Sequence, residues 1–374
     1  MSITLSKVLI DTPTKEAILK VLDSGYIVQG PQVAKLEADF CTLTGAKHAV
    51  AVSNGTTALH SALAVLGVGP GDEVITTPFT FVATANAIRM CGATPVFADI
   101  NPQSFNLDPN PVAKAITKKT KAILVVNLYG LPADYRALKK ICKQNSLYLV
   151  EDAAQSIGAT YFGKNSGNLA DVSCFSLYAT KNLMSGEGGM LTTNQKSLAQ
   201  KLKRFRHHGQ SETKHYVYDD LGYNYRLTDI AATIALGELK KLDKNTKRRQ
   251  YIAQKYHYAF SSVKGLITPS VPSRSTHVYH QYTIRLTKQF TLTRQKFQEK
   301  LSTAGIQTNI FYPITLDRFK HLNGGELYTN LPHSTQAAKE VISIPVHPYL
   351  TNQEIDYIIK TIASIWKSFP SKQW

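Results

Sequence analysis

The 374-residue chain is 43% hydrophobic and 18% charged, which suits a globular protein with one large core and a second, smaller one and excludes a disordered chain. Lysine and arginine (43) exceed aspartate and glutamate (26), giving a formal charge of +17 that favours anionic partners. No apolar run is long enough to span a bilayer, and Met1–Lys7 lacks a signal-peptide core, so a cytoplasmic protein without membrane contact is expected.

Four cysteines (Cys41, Cys91, Cys142 and Cys174) lie far apart with no C-x-x-C pair, as buried cytosolic thiols do; neither a disulfide framework nor a zinc site is expected. His207-His208 and His277-x-x-His280 carry no carboxylate or thiol at ligand spacing, so no metal is expected there either. The basic residues cluster only in Lys201–His208 and Lys240–Arg249, which read as polar helix faces outside any nucleic-acid motif. A phosphorylated small molecule suits the charge, and nucleic acid is not expected as a partner.

Residues 1–46 form a lead-in, with helices expected over Thr14 to Leu22 and Gln32 to Leu43 around a loop from Ser24 to Pro31. A short strand, His48 to Ser53, runs through Asn54-Gly55-Thr56-Thr57 into a helix from Ala58 to Leu66. Strand, Gly/Thr turn and helix together make a phosphate cradle, or else Thr56 or Thr57 simply caps the helix. Gly67 to Asp72 looks like a dinucleotide fingerprint but follows a helix and precedes a strand, the reverse of that motif, and reads as a turn. Strands at Glu73 to Thr77, Thr94 to Asp99, Thr120 to Leu128 and Leu147 to Glu151 then alternate with helices at Phe81 to Cys91, Pro109 to Ile116 and Tyr135 to Gln144. This alternation predicts an α/β fold with a mainly parallel central sheet flanked by helices, whose ligands gather at the carboxyl ends of the strands. Asp152 stands at such an end, placed either to cap a helix or to pair with a buried cation.

Further strands are expected from Asp171 to Tyr178 and Gly189 to Thr193, and one long helix from Asp229 to about Phe260. The C-terminal stretch predicts a smaller α+β domain: strands at Tyr279 to Leu286 and Gly305 to Phe311, helices at Thr293 to Ala304, Ala337 to Val341 and Asn352 to Phe369, and a short segment at Ile342 to Pro345. The expected division is 1–250 for the large domain with its lead-in and 251–374 for the small one.

Lys181 sits where the apolar strand ending at Tyr178 gives way to Gly186, Gly188 and Gly189, residues that permit positive φ and close backbone approach. A lysine in that place, if burial lowers its pKa, can condense with an aldehyde. Six stretches accompany it in order: Asn54–His60, Pro78–Thr84, Glu151–Ser156, Phe175–Asn182, Gly186–Gly189 and Gly222–Asp229. On these the chain, from about Ile3 through Ile365, resembles the DegT/DnrJ/EryC1/StrS sugar aminotransferases of pyridoxal-phosphate fold type I.

The resemblance implies pyridoxal 5′-phosphate as cofactor, with the pyridoxamine form as its partner state, and a large cofactor-binding domain followed by the small one. It assigns Lys181 as the residue that joins the cofactor aldehyde, Asp152 as partner of the pyridine nitrogen, Gln155 to the ring or its 3′-oxygen and Phe81 to a ring face. Gly55, Thr56 and Ser176 would hold the phosphate, and Asn224 would reach it from the partner subunit of a homodimer with shared sites. Arg226 and Tyr312 are its candidates for substrate contact, although Phe311-Tyr312-Pro313 lacks the histidine the family commonly carries before Tyr-Pro. It further implies amino transfer from L-glutamate to a nucleotide-linked ketosugar, with 4-keto favoured over 3-keto by Gly186-Glu-Gly-Gly189. Two rival readings stand beside this one. One is a sugar dehydratase of the same family, whose members place histidine where Lys181 stands; the other is a non-catalytic cofactor- or sugar-binding regulator.

Overall fold

A computed structural model describes residues 2–211, 213–323 and 331–368. Helices α1 (Thr12–Ser24) and α2 (Pro31–Thr44) lead to strand β1 (His48–Val52), which turns at Asn54 into α3 (Gly55–Val65). There follow β2 (Glu73–Thr76), α4 (Ala83–Met90), β3 (Thr94–Phe97), α5 (Pro109–Ala115), β4 (Thr120–Val126), α6 (Tyr135–Asn145) and β5 (Tyr148–Asp152). A small hairpin, β6 (Thr160–Tyr161) and β7 (Lys164–Asn165), precedes β8 (Val172–Ser176) and β9 (Gly189–Thr193). Helices α7 (Lys196–Arg206), α8 (Asp229–Leu239) and α9 (Leu242–Phe260) then carry the chain to its C-terminal part. That part holds β10 (Leu266–Ile267), β11 (Tyr282–Leu286), α10 (Arg294–Thr303), α11 (Lys320–Asn323), α12 (Pro332–Glu340), β12 (Val341–Ile344) and α13 (Asn352–Lys367).

The expected α/β sheet is present, in the order β1-β9-β8-β5-β4-β2-β3. Only β9 runs against its neighbours. Helices join β2 to β3 and β4 to β5, the usual way to connect parallel strands, whereas β5 reaches β8 through the β6–β7 hairpin and β8 reaches β9 through a wide loop. That loop extends the ladder, with Leu177 N–H donating to the Gly188 carbonyl (2.8 Å) and Ser185 N–H to the Leu177 carbonyl (2.7 Å). Gly189 begins β9 because an added Cβ would lie 2.3 Å from the Asn54 carbonyl oxygen. Apolar side chains cover both faces: Val50, Leu63, Val74, Val150 and Leu191 on one, and Phe40, Phe175, Met190 and Leu236 on the other. Each contributes roughly 1.5–3 kcal/mol on burial. In the register, Val126, Asp152 and Cys174 stand side by side, so β4, β5 and β8 end level.

A second core surrounds the antiparallel sheet β10-β11-β12. Tyr256 and Phe260 of α9, Ile284, Phe297, Ile342 and Ile358 pack in it, together with Ile3 from the far end of the chain. Ile3 N–H donates to the Gly305 carbonyl (2.8 Å), and Gln307 N–H to the Ile3 carbonyl (2.9 Å).

Several elements depart from the sequence expectation for tertiary reasons. The helix expected over Asp229–Phe260 is two, α8 and α9, because α8 lies against α1 and α2 while α9 serves the second core. Lys241 pins the break through Glu238 (2.6 Å) and Asp11 (3.1 Å). The strand expected at Gly305–Phe311 is reduced to two isolated bridges, since Ile306 pairs with Ile3 and Asn309 with Ser343. Helix α12 begins earlier than expected, because Asp99 at the end of β3 accepts both His333 N–H and Ser334 N–H (2.8 Å each). Helix α13 keeps its start through a Thr351/Glu354 capping box, and Phe369 lies outside the described residues.

Asp229 does the same for α2. Its buried carboxylate accepts from Gly30 N–H, Gln32 N–H and Val33 N–H at 2.9–3.0 Å, binding the lead-in to the start of α8. Replacing a buried acceptor strands its donors, so Asp229→Ala is expected to cost about 2–3 kcal/mol. Chemical denaturation followed by far-ultraviolet circular dichroism measures that loss, and Asp229→Asn should recover part of it.

Candidate active site

The level ends of β4, β5 and β8, together with the N-terminus of α3, form the floor of a chamber of about 820 Å³. Successive strand residues face opposite sides of a sheet, and β5 uses both. Asp152 lines the chamber, while Glu151 is fully buried in a separate polar network. The Glu151 carboxylate accepts from Asn127 Nδ2 (2.8 Å), Ser166 Oγ (2.6 Å), Ser173 Oγ (2.6 Å) and Gly167 N–H (3.0 Å). That network fixes the end of β5, and so the place of Asp152.

The Asp152 carboxylate accepts from Thr84 Oγ1 (2.9 Å) and Ala154 N–H (3.2 Å). Burial pushes its pKa up, while these two donors and the Lys181 charge pull it down. Lys181 lies in the β8–β9 loop, where its N–H donates to the Tyr178 carbonyl (2.8 Å). Burial lowers its ammonium pKa to about 8 even though Asp152 opposes the shift. By the ordinary titration relation roughly a tenth of the amine is then free at pH 7, against less than a thousandth for a solvated lysine.

At the α3 end the cap belongs to Asn54 together with Thr57 and leaves Thr56 out of it. Asn54 caps the helix by accepting from Thr57 N–H (2.9 Å), and Thr57 Oγ1 accepts from Asn54 N–H (3.1 Å). Thr57 therefore serves the cap, and Thr56 lines the chamber with Gly55 and Ser176. Gly55 cannot be larger, because an added Cβ would stand 2.7 Å from Ser176 Cβ. This tight cradle of helix-terminal N–H groups and two hydroxyls suits a phosphate.

Phe81, 57% exposed, offers an uncovered ring face to the chamber. Gln155 is oriented by accepting Tyr129 N–H at Oε1 (2.6 Å), which leaves Nε2 pointing toward the Tyr312 hydroxyl (3.5 Å). Tyr312 lines the chamber beside Phe81, their ring centroids 6.3 Å apart, and burial raises its phenol pKa. Tyr129 Oη donates to the Phe311 carbonyl, tying this wall to the main sheet.

Lys181, Asp152, Gly55, Thr56, Phe81, Gln155, Ser176 and Tyr312 thus line one cavity. Asn224 and Arg226 do not line it. Asn224 is exposed and bridges His207, whose Nδ1 lies 2.8 Å from Arg226 Nη1. Among the described residues no cluster of three His, Cys, Asp or Glu could hold a metal. His277 stacks on Tyr279 at 4.0 Å.

The sequence profile of one family matches residues 9–363. The chain belongs to the DegT/DnrJ/EryC1/StrS aminotransferase family. Similar proteins include the pleiotropic regulatory protein of Geobacillus stearothermophilus, 42% identical over 95% of this chain and 96% of that one. The UDP-2-acetamido-2-deoxy-3-oxo-D-glucuronate aminotransferase of Pseudomonas aeruginosa is 39% identical over 93% and 94%. Among solved structures, the PLP form of Spr1654, a candidate sugar aminotransferase from Streptococcus pneumoniae, superposes with a TM-score of 0.93 at 29% identity, over 99% of this chain and all of that one.

Enzyme class and cofactor, pyridoxal 5′-phosphate, follow from membership in this aminotransferase family, and the residues present fit the group. A buried carboxylate, an amine of lowered pKa, an open aromatic face and a cradle closed to any larger residue at position 55 stand around one chamber. Sequence reasoning missed Thr84, Glu151, Tyr129, Asn182 and His280. Thr84, Glu151 and Asn182 lie inside the stretches that carry the resemblance, and the alternation of β5 was a usable signal for Glu151. Asn182 Nδ2 donates to the Val278 carbonyl (3.1 Å), and His280 Nδ1 lies 3.3 Å from Asn182 Oδ1; no spacing rule joins residues so far apart.

Two expectations follow. Condensation of cofactor-free protein with pyridoxal phosphate should accelerate about tenfold per pH unit up to pH 8 and level off above it, because the neutral amine is the reactive form. Stopped-flow absorbance of the bound cofactor checks this profile. Gly55→Ala should weaken cofactor binding roughly tenfold or more, by forcing apart α3 and the end of β8, as equilibrium dialysis would measure.

Proposed function

We propose that the enzyme transfers an amino group from L-glutamate to a nucleotide-linked ketosugar, in two half-reactions that use the same lysine in turn. The observation that carries this reading is Lys181, an amine of lowered pKa beside buried Asp152 in a chamber of about 820 Å³, large enough for more than a cofactor. Pyridoxal phosphate, when bound, supplies an electrophilic carbonyl carbon and an electron-accepting ring. The residues do the rest. Asp152 holds a proton on the ring nitrogen, and Thr84 and Ala154 keep its carboxylate in place. Thr56, Ser176 and the α3 amides bind the phosphate, Phe81 covers one ring face, and Gln155 Nε2 faces the ring oxygen. Lys181 removes a proton from the donor α-carbon and later delivers one to the sugar carbon that receives nitrogen.

In this reading the active unit is a cytoplasmic homodimer, in which Asn224 and Arg226, lying outside their own chain's chamber, serve the partner's site at the phosphate and the substrate pyrophosphate. Tyr312 contacts the sugar. Glycines 186, 188 and 189 lean the reading toward a 4-keto substrate; the Pseudomonas relative is named for a 3-oxo sugar, so both classes belong in the assay. The product serves lipopolysaccharide, capsule or other amino-sugar biosynthesis. Lysine at position 181 supports transamination over dehydration.

Purified enzyme given L-glutamate and a panel of nucleotide-linked 4-keto and 3-keto sugars should yield an amino sugar detected by mass spectrometry. Lys181→Ala should abolish turnover and leave the cofactor bound without a covalent link. Undiminished turnover by that variant would refute the assignment, and turnover confined to 3-keto sugars would overturn the choice of carbon.

A further inference from the structure

A second cavity, of about 320 Å³, lies on the other side of Lys181. The two cavities share Lys181, Tyr178, His280 and Phe311 as walls. The N-terminal strap Leu5–Leu9 covers the second one, and its wall includes Arg249 of α9 and the turn His347–Tyr349.

Arg249 is 7% exposed, yet its guanidinium is matched only by neutral groups. Nη1 donates to the carbonyls of Tyr279 (3.2 Å) and Val346 (3.5 Å). No ion pair to a carboxylate is formed by it among the described residues, and Glu238, which lines the same wall, is held by Lys241 at 2.6 Å. Arg206, the other buried arginine among the described residues, behaves differently and pairs with Glu37 at 2.6 Å, as the partly buried Arg285 does with Glu340. A buried guanidinium without an anion is costly, and here burial draws its pKa down to about 10. His347, 4% exposed on the same wall, has an Nδ1 without a partner among the described residues. One cavity therefore brings together an unpaired cation and an unpaired ring nitrogen, within reach of the catalytic lysine.

We propose that this second cavity receives a carboxylate of the amino-acid donor, with Arg249 as its counter-ion. The assignment rests on the transamination reading above. Its size separates the donor from the acceptor: about 320 Å³ is at the small end for ligand sites and accommodates an amino acid, while a nucleoside diphosphate sugar needs the larger chamber. The donor amine is placed at Lys181 and its acid group beyond it, so each substrate has an anion site of its own around one shared amine. A guanidinium with unused donors matches a carboxylate through paired hydrogen bonds.

The test compares the two half-reactions in holoenzyme. L-Glutamate bleaches the visible band of the bound cofactor, and a ketosugar added to the aminated form restores it. Arg249→Gln should raise half-saturating glutamate about 30-fold and leave the ketosugar value within about threefold, with Arg249→Lys intermediate. Equal losses in both half-reactions, or a glutamate change under threefold, would overturn the proposal; so would a loss confined to the ketosugar, which would assign the cavity to the nucleotide diphosphate. If Arg249→Gln does not fold, Arg249→Lys decides by the same comparison. Calorimetric titration with glutarate needs no turnover: binding by wild type that weakens in the variant supports the carboxylate site even if no ketosugar reacts, and no binding by wild type rejects it.

Discussion

The structure depends on setting a partly buried amine near a buried carboxylate at the edge of a sheet. Left in solvent, Lys181 would be almost wholly protonated and inert toward an aldehyde. Burial lowers its pKa to about 8, but burial acts on Asp152 as well and disfavours its charge. The fold answers by giving Asp152 two donors of its own, Thr84 and Ala154. Each ion also supports the other, so neither shift goes to its limit.

The scaffolding behind this pair is largely polar. Glu151, one residue from Asp152 on β5, is satisfied by four donors and anchors that strand. The β8–β9 loop is closed by its own backbone bonds and by Asn54, whose carbonyl leaves room only for glycine at position 189. Asn54 thus serves twice, capping α3 and packing against the strand that follows Lys181. Because the cap is complete without Thr56, that hydroxyl is free for the chamber.

A two-substrate enzyme of this kind must accept dissimilar partners at one amine. Two cavities that share the Lys181 wall offer a geometric answer, with Phe81, Gly55, Thr56 and Ser176 on one side and Arg249 on the other. The joining of the two cores fits this arrangement. Ile3 packs into the C-terminal core, which brings the strap Leu5–Leu9 across the smaller cavity.

Sequence alone was enough for the alternating α/β plan and for most strands within a residue or two; the resemblance pointed to Lys181, Asp152 and Gly55, which the fold places around one chamber. The plan and the strands depend on local patterning: period-two apolar strands, helical spacing, and glycines where only glycine fits. Sequence also sufficed for the family, because six short stretches stand in fixed order. What remained hidden depends on contacts between distant positions. The break between α8 and α9 answers to two different cores, the early start of α12 to Asp99, and the cap of α2 to Asp229 nearly two hundred residues away. Likewise, nothing local distinguishes Arg249 from its exposed neighbours in a basic run. Only the packing of α9 removes its guanidinium from water without supplying a carboxylate, and that is a property of the tertiary structure.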